Sequence, residues 1–242
     1  MKNNWNKDPY LYDDVPVLKN IPGVKNAEEL KRIEGDITKM TMGIVYAQEY
    51  SKFNTETLCR LHEIIFGPIY EWAGEFRTIN MVKPEDVLGG DTVQYAQPQE
   101  IKKRLDEAAR EIGKLKYSDD PQTLVFKIVR ITASMWHTHP FREGNTRAVV
   151  AFSVLLAAHF GIQMDYSMFE KNAAYVRNAL VWCTQGIYSK FEYLERIYFD
   201  AAGLLDDEPE DLVGKNRDYS ALGDYRVSDY REQPHVYAEE QG

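Results

Sequence analysis

The sequence predicts an all-α fold: a helical bundle with one inserted β-hairpin, followed by a polar C-terminal tail. Three observations carry that reading. Apolar residues recur at three- and four-residue steps through most of the chain, a single pair of β-prone runs lies between residues 77 and 95, and the composition turns acidic at Asp206. With 242 residues, 44% hydrophobic and 28% charged, the chain has room for one large domain with a small appendage. Those fractions argue against a disordered, collagen-like or coiled-coil protein.

Residues 1–25 read as a Pro- and Tyr-containing lead. Asn26 is placed as an N-cap, with Glu28 and Glu29 at the positive end of a helix whose buried stripe is expected to be Leu30, Ile33, Ile37, Met40 and Ile44. A second helix starts at Asn54 or Thr55, carries Leu58, Leu61, Ile64 and Ile65, and stops at Gly67-Pro68. Residues 77–82 and 92–95 read as the strands of a hairpin, joined by an exposed, mobile loop over 83–91. Pro98 and Pro121 open two more helices, with stripes Ile101, Leu105, Ala108, Ile112, Leu115 and Leu124, Ile128, Ile131, Met135. Helices resume over 147–160, 168–184 and 190–204. The domain is therefore assigned to 26–204, and 205–242 to an acidic, tyrosine-containing tail expected to be flexible or ordered only by a partner.

Charge and composition exclude several function classes. Residues 206–242 hold 11 acidic and 4 basic side chains, so most of the net charge of −9 lies in the tail. An acidic balance opposes non-specific nucleic-acid binding, which is driven by Lys and Arg releasing phosphate counterions. The longest apolar run, 148–160, is interrupted by Ser153 and His159 and falls short of the roughly 20 residues that span a bilayer. Neither nucleic acid nor membrane is expected as a partner. The N-terminus lacks the apolar core of a secretory signal, so a cytoplasmic location is expected, although specialised delivery into another cell leaves no mark of that kind. Cys59 and Cys183 fit no metal-ligand spacing and read as reduced, inert thiols.

The chemistry concentrates in residues 136–147, Trp-His-Thr-His-Pro-Phe-Arg-Glu-Gly-Asn-Thr-Arg, between two helices. Pro140 stops the first helix, Gly144 permits a left-handed backbone, and Asn145 is suited to cap the next. A loop ending in a helix N-terminus attracts anions, because unpaired N–H groups and the helix dipole converge there. Arg147 in the first turn is opposed by the same dipole, a conflict that an anion between them removes. His139 suits proton abstraction near neutral pH, and Glu143 is a hard ligand for Mg²⁺. Local chemistry alone suggests phosphoryl or nucleotidyl transfer to a hydroxyl, with a plain polar interhelical loop as the alternative.

His-Pro-Phe-Arg-Glu-Gly-Asn-Thr-Arg at 139–147 resembles the signature of the Fic (filamentation induced by cAMP) family, His-Pro-Phe-x-Asp/Glu-Gly-Asn-Gly-Arg-x-x-Arg, with eight of nine core positions in agreement. The likeness extends to residues 8–12, 29–32, 69–77 and the hairpin, and so covers roughly 8–204. It implies a Fic-type helical bundle and a bacterial protein adenylyltransferase: a nucleotidyltransferase that moves AMP from ATP to a Ser, Thr or Tyr hydroxyl of a protein target, with Mg²⁺ as cofactor. On that resemblance His139 is the base, Phe141 anchors the loop and Glu143 binds Mg²⁺. Gly144, Asn145 and Thr146 shape the anion hole, and Arg147 holds the outer phosphates. Tyr175 either lines an adenine pocket or sits in the core. The hairpin becomes a flap on which Thr78, Ile79, Asn80, Met81 and Lys83 dock the target as an added strand.

The chain departs from the signature in two places. Thr146 replaces a glycine, and Val150 stands where the second arginine belongs, a residue the family associates with the terminal phosphate and with an inhibitory glutamate. Nucleotide use is thus better founded than ATP use, and Arg142 is the candidate replacement cation. Glu34-Gly35 supplies half of the family's inhibitory pattern but with Leu30 at the hydroxyl position, while Ser228 and Glu232 have the spacing but are followed by Gln233. Inhibition by the chain's own glutamate is therefore not expected, and an antitoxin-like protein is a candidate partner. Two other readings stay open, transfer of a different phosphate-containing group and an impaired nucleotide- or target-binding module. His137 reads as a helix-end or packing residue, His62 and His159 as locally bonded, and Tyr219, Tyr225, Tyr230 and Tyr237 as solvated tail residues.

Overall fold

A computed structural model describes residues 8–205 together with Tyr219 and Leu222. Among these residues the chain forms eight α-helices and one two-stranded hairpin. In order they are α1 (Ala27–Tyr46), α2 (Thr55–Phe66), β1 (Val82–Pro84), β2 (Thr92–Gln94), α3 (Ile101–Ile112), α4 (Pro121–Thr138), α5 (Asn145–His159), α6 (Tyr166–Lys171), α7 (Ala173–Trp182) and α8 (Glu192–Ala201). α4 is the central helix, packed by α3, α5, α7 and α8, while α2 lies between α1 and α5. The predicted stripes of α3 and α4 are buried throughout. The helix starts are set by side-chain caps: Asn26, Asn54 and Asp120 each accept an N–H three residues on. None of the described helices is long and apolar enough to cross a membrane.

Three sequence expectations are corrected. First, α1 buries its predicted stripe fully only at Leu30: Ile33 and Ile37 are half-buried, and Met40 and Ile44 are 76% and 52% exposed. The buried face instead runs through Leu30, Thr38, Thr41, Met42 and Val45 against α2. Thr38 and Thr41 donate to carbonyls one turn back, and Thr41 also reaches the Ile65 carbonyl at 3.0 Å, so their hydroxyls enter the core satisfied. Second, the first hairpin strand is Val82–Pro84, not 77–82, and it pairs antiparallel with Thr92–Gln94. Arg77 gives its backbone N–H to the Pro140 carbonyl at 2.8 Å, so this stretch bonds to the motif loop and not to a strand. The connection after β1 is only partly exposed, because Glu85 and Val87 are buried. Third, the helix expected over 168–184 is broken at Asn172, whose side-chain amide donates to the Met168 carbonyl at 2.8 Å and closes α6.

The lead is attached to the body. Ile21 bonds the Ile69 carbonyl at 2.8 Å, and the Tyr10 ring meets Trp72 edge-on at 5.4 Å. Of the tail, Tyr219 is buried and not solvated: its hydroxyl bonds Asp200 at 2.5 Å, while the buried Leu222 offers its carbonyl to Asn178. Tyr225, Ser228, Tyr230, Glu232 and Tyr237 lie outside the described residues.

Candidate active site

The motif loop joins the C-terminus of α4 to the N-terminus of α5. His139 caps α4 in the left-handed region, with φ 51°, the one non-glycine residue among those described to do so. A bulky residue in this conformation is uncommon and marks a position held by its surroundings. The imidazole is stacked under the Tyr95 ring at 3.8 Å and meets the Trp136 edge at 5.6 Å. Its Nδ1 faces the Trp136 carbonyl at 3.3 Å. With the proton on that nitrogen, Nε2 is the basic one.

Phe141 is fully buried and stacks on the His62 ring at 3.8 Å, so it anchors the loop as expected. Asn145 does not cap α5. Its side chain accepts the Phe141 N–H at 2.9 Å and donates to the Phe141 carbonyl at 2.8 Å, clasping the loop from inside. The cap position falls to Gly144, at φ 79°, where an added Cβ would lie 2.3 Å from the Phe66 ring. The Thr146 hydroxyl oxygen accepts the Trp136 indole N–H at 2.9 Å, which accounts for a threonine at the glycine position of the signature.

The charges are distributed differently from the sequence expectation. Arg142 is buried against Asp8, with Nε and Nη2 at 3.1 and 2.9 Å from Oδ2, so it ties the lead to the loop and does not replace the cation missing at Val150. Val150 itself is in the core. Arg147 points to α1, donating to Glu34 and, at 3.2 Å, to Thr38, with its guanidinium 4.7 Å over the Phe66 ring. Burial works against the Arg147 charge, but the Glu34 and Glu143 carboxylates more than offset it and hold the group firmly protonated. Glu34 also accepts the Tyr70 hydroxyl at 2.5 Å. A glutamate of the chain therefore does reach a motif arginine, although the one at 147 and not at 150.

The Glu143 carboxylate accepts the Gly144 N–H at 2.9 Å and lies at the loop's apex. Among the described residues no three His, Cys, Asp or Glu side chains converge on one point. A cation held here would take one protein carboxylate and complete its shell with phosphate oxygens and water, which is how Mg²⁺ is usually bound. Tyr175 is not gathered into the loop: it is buried, its hydroxyl donates to the Tyr193 carbonyl at 2.8 Å, and its ring meets Tyr219. Of the flap residues, Thr78 is exposed and bonds the Tyr10 hydroxyl through its N–H, Ile79 and Asn80 are half-buried, Met81 is buried, and Lys83 lies in β1.

Several residues support the site through partners that the sequence does not reveal. His137 donates to the Gln94 carbonyl at 3.0 Å and so holds β2 against α4, and burial lowers its pKa. Glu85 pairs with Arg177 of α7 at 2.8 Å beside Tyr95, fastening the hairpin to the bundle. His62 is fully buried; its Nδ1 accepts the Gly74 N–H at 2.9 Å, so Nε2 carries the proton that goes to the Glu143 carbonyl, also at 2.9 Å. These bonds span 12 and 81 residues rather than one turn. Burial pushes the His62 pKa down to about 3. The unfolded chain binds a proton there below about 6.5 and the folded chain does not, so stability from this residue is complete above 6.5 and falls by about 1.4 kcal/mol per pH unit down to that folded value. His62→Asn is expected to flatten the acid limb of a denaturant-midpoint profile between pH 6 and 4; an unchanged slope would refute the assignment. The two thiols are pushed up by burial, to about 11 for Cys59 and about 12 for Cys183, in keeping with inert cysteines.

Residues 52–157 match the model of the Fic/DOC family. The chain is 28% identical over 173 residues to the protein adenylyltransferase VbhT of Bartonella schoenbuchensis, covering 70% of this chain and 35% of that protein. It is 24% identical over 169 residues to the probable protein adenylyltransferase Fic of Escherichia coli, covering 69% and 80%. The chain thus spans about a third of the length of the Bartonella relative but most of the other. Among solved structures, the BepC protein of Bartonella tribocorum with bound AMPPNP superposes with a TM-score of 0.68 at 23% identity, covering 79% of this chain and 95% of that one. An N-terminal Fic domain from Bartonella quintana with bound ADP gives 0.67 at 22%, covering 79% and 93%. These likenesses support the same helical fold.

Proposed function

We propose that the chain is a protein adenylyltransferase of the Fic/DOC type, whose family model residues 52–157 match, moving AMP from ATP to a Ser, Thr or Tyr hydroxyl of a protein target. The observation that carries the reading is His139 at the C-cap of α4, a few residues before a helix N-terminus bearing Arg147, with the Glu143 carboxylate between them. A base at one end of a short loop and an anion cradle at the other is the arrangement that transfer of a phosphate-bearing group to a hydroxyl needs.

In the proposed reaction the target oxygen attacks the α-phosphorus, the bond to the β-phosphate oxygen breaks, and pyrophosphate leaves. The hydroxyl proton passes to the His139 imidazole, whose tautomer is set by the Trp136 carbonyl. Backbone N–H groups at the start of α5 and the Arg147 guanidinium bind phosphate charge. Mg²⁺ at Glu143 would neutralise further phosphate charge. The target is taken as an extended segment laid along the hairpin edge, bonded through its main chain.

A second reading, transfer of another phosphate-containing group, is favoured by the buried Val150 and by the engagement of Arg142 with Asp8. ATP labelled at the α- or the γ-phosphate separates the two. Protein-bound label from the α-position alone supports adenylylation, whereas label from the γ-position alone would replace it with phosphotransfer.

Glu34 competes with a phosphate for Arg147. Glu34→Gln is expected to raise affinity for ATP by about tenfold, or about 1.4 kcal/mol, in a titration calorimeter. Equal or weaker binding would sink the idea of competition.

A further inference from the structure

Arg77 is almost fully buried, at 1% exposure, and among the described residues its guanidinium bonds only to backbone carbonyls. Nε donates to the His139 carbonyl at 2.7 Å, Nη1 to the Ile79 carbonyl at 2.5 Å and Nη2 to the Ala96 carbonyl. Ile79 stands just before β1 and Ala96 just after β2, so these two acceptors are the feet of the hairpin. The third belongs to the residue that carries the imidazole. Burial draws the Arg77 pKa down to about 10, which leaves it charged at neutral pH. A buried cation without a carboxylate is costly, and it is offset here by three carbonyls, one of them at the negative end of the α4 dipole. A guanidinium is a planar fork whose donors keep fixed mutual angles, so bonding all three carbonyls fixes them relative to one another.

We infer that Arg77 is a positioning residue that holds the hairpin in register with His139, and so sets which hydroxyl of an extended acceptor segment meets the imidazole. The second half rests on the transferase reading. A strand advances about 3.3 Å per residue and alternates faces, while proton transfer requires approach to about 3 Å. A slip of one residue along the hairpin therefore removes the acceptor hydroxyl altogether. Water needs no such register.

The test compares Arg77→Lys with wild type, as the full chain with Mg²⁺ and α-labelled ATP, and counts protein-bound label and free AMP from the same tube. Lysine keeps a cation but not the fork. The ratio of protein-bound label to AMP is expected to fall at least tenfold. An equal fall in both products would overturn the inference, because a general loosening acts on both. Amide hydrogen exchange provides an arm that does not presuppose transfer. Exchange over 78–96 is expected to rise at least tenfold while α4 and α5 stay protected, and an unchanged hairpin would likewise overturn the inference. Arg77→Gln replaces the lysine variant if α4 and α5 lose protection. A wild type that forms neither labelled product counts against the transferase reading, and the exchange arm then decides Arg77 alone.

Discussion

Replacing His139 by asparagine is expected to slow the proposed transfer to protein by roughly a hundred- to ten-thousandfold, the usual worth of a positioned general base. Asparagine is a better choice than alanine for a physical reason. His139 occupies the left-handed region, at φ 51°, which asparagine tolerates more readily than other side chains, so the loop keeps its path. The amide has no basic nitrogen, and the hydroxyl proton then has no acceptor of suitable strength. Nucleotide affinity is expected to change less than threefold, since the proposed cradle at the start of α5 is untouched. A variant that transfers at the wild-type rate would remove His139 from the mechanism; one that loses nucleotide binding as well would assign it a structural role.

Gly144→Ala is expected to lower stability by about 2–4 kcal/mol, from overpacking and from a β-carbon in the left-handed region. The new Cβ would lie 2.3 Å from two carbons of the Phe66 ring. That ring has little room to retreat: it is fully buried, faces His62 at 4.7 Å, and has the Arg147 guanidinium over it. Because Gly144 is also the N-cap of α5, any shift that relieves the clash moves the N–H groups proposed to bind phosphate. Nucleotide affinity should therefore fall at least tenfold together with Tm. A variant with wild-type Tm and affinity would mean the loop relaxes freely and that the close approach has no consequence.

The helices were legible wherever apolar spacing agreed with burial. The stripes of α3 and α4, the Asn26 cap and the helix starts at Asn54 and Pro121 are local properties, and each was readable from a window of a few residues. α1 was misread because Thr38 and Thr41 satisfy their hydroxyls within their own helix and can be buried, which frees Met40 and Ile44 to face outward. The first hairpin strand was misplaced because Arg77 bonds outside the hairpin.

The motif loop divides in the same way. Its residue types suggest a base, a hard ligand and an anion cradle, the roles proposed above, since those are properties of side chains and of a loop-to-helix junction. What no spacing could reveal is which partner each group chooses. Arg142 goes to Asp8, 134 residues away, Arg147 to Glu34, 113 away, and His62 to Glu143, 81 away. The sequence by itself determined most of the helical elements, though not the break between α6 and α7, and the residue types available at 139–147. Only the tertiary structure decided which charges are already paired, what covers the imidazole and what ties the hairpin to it, because hydrogen bonds and ion pairs form by distance in space, and that distance exists only after the chain has folded.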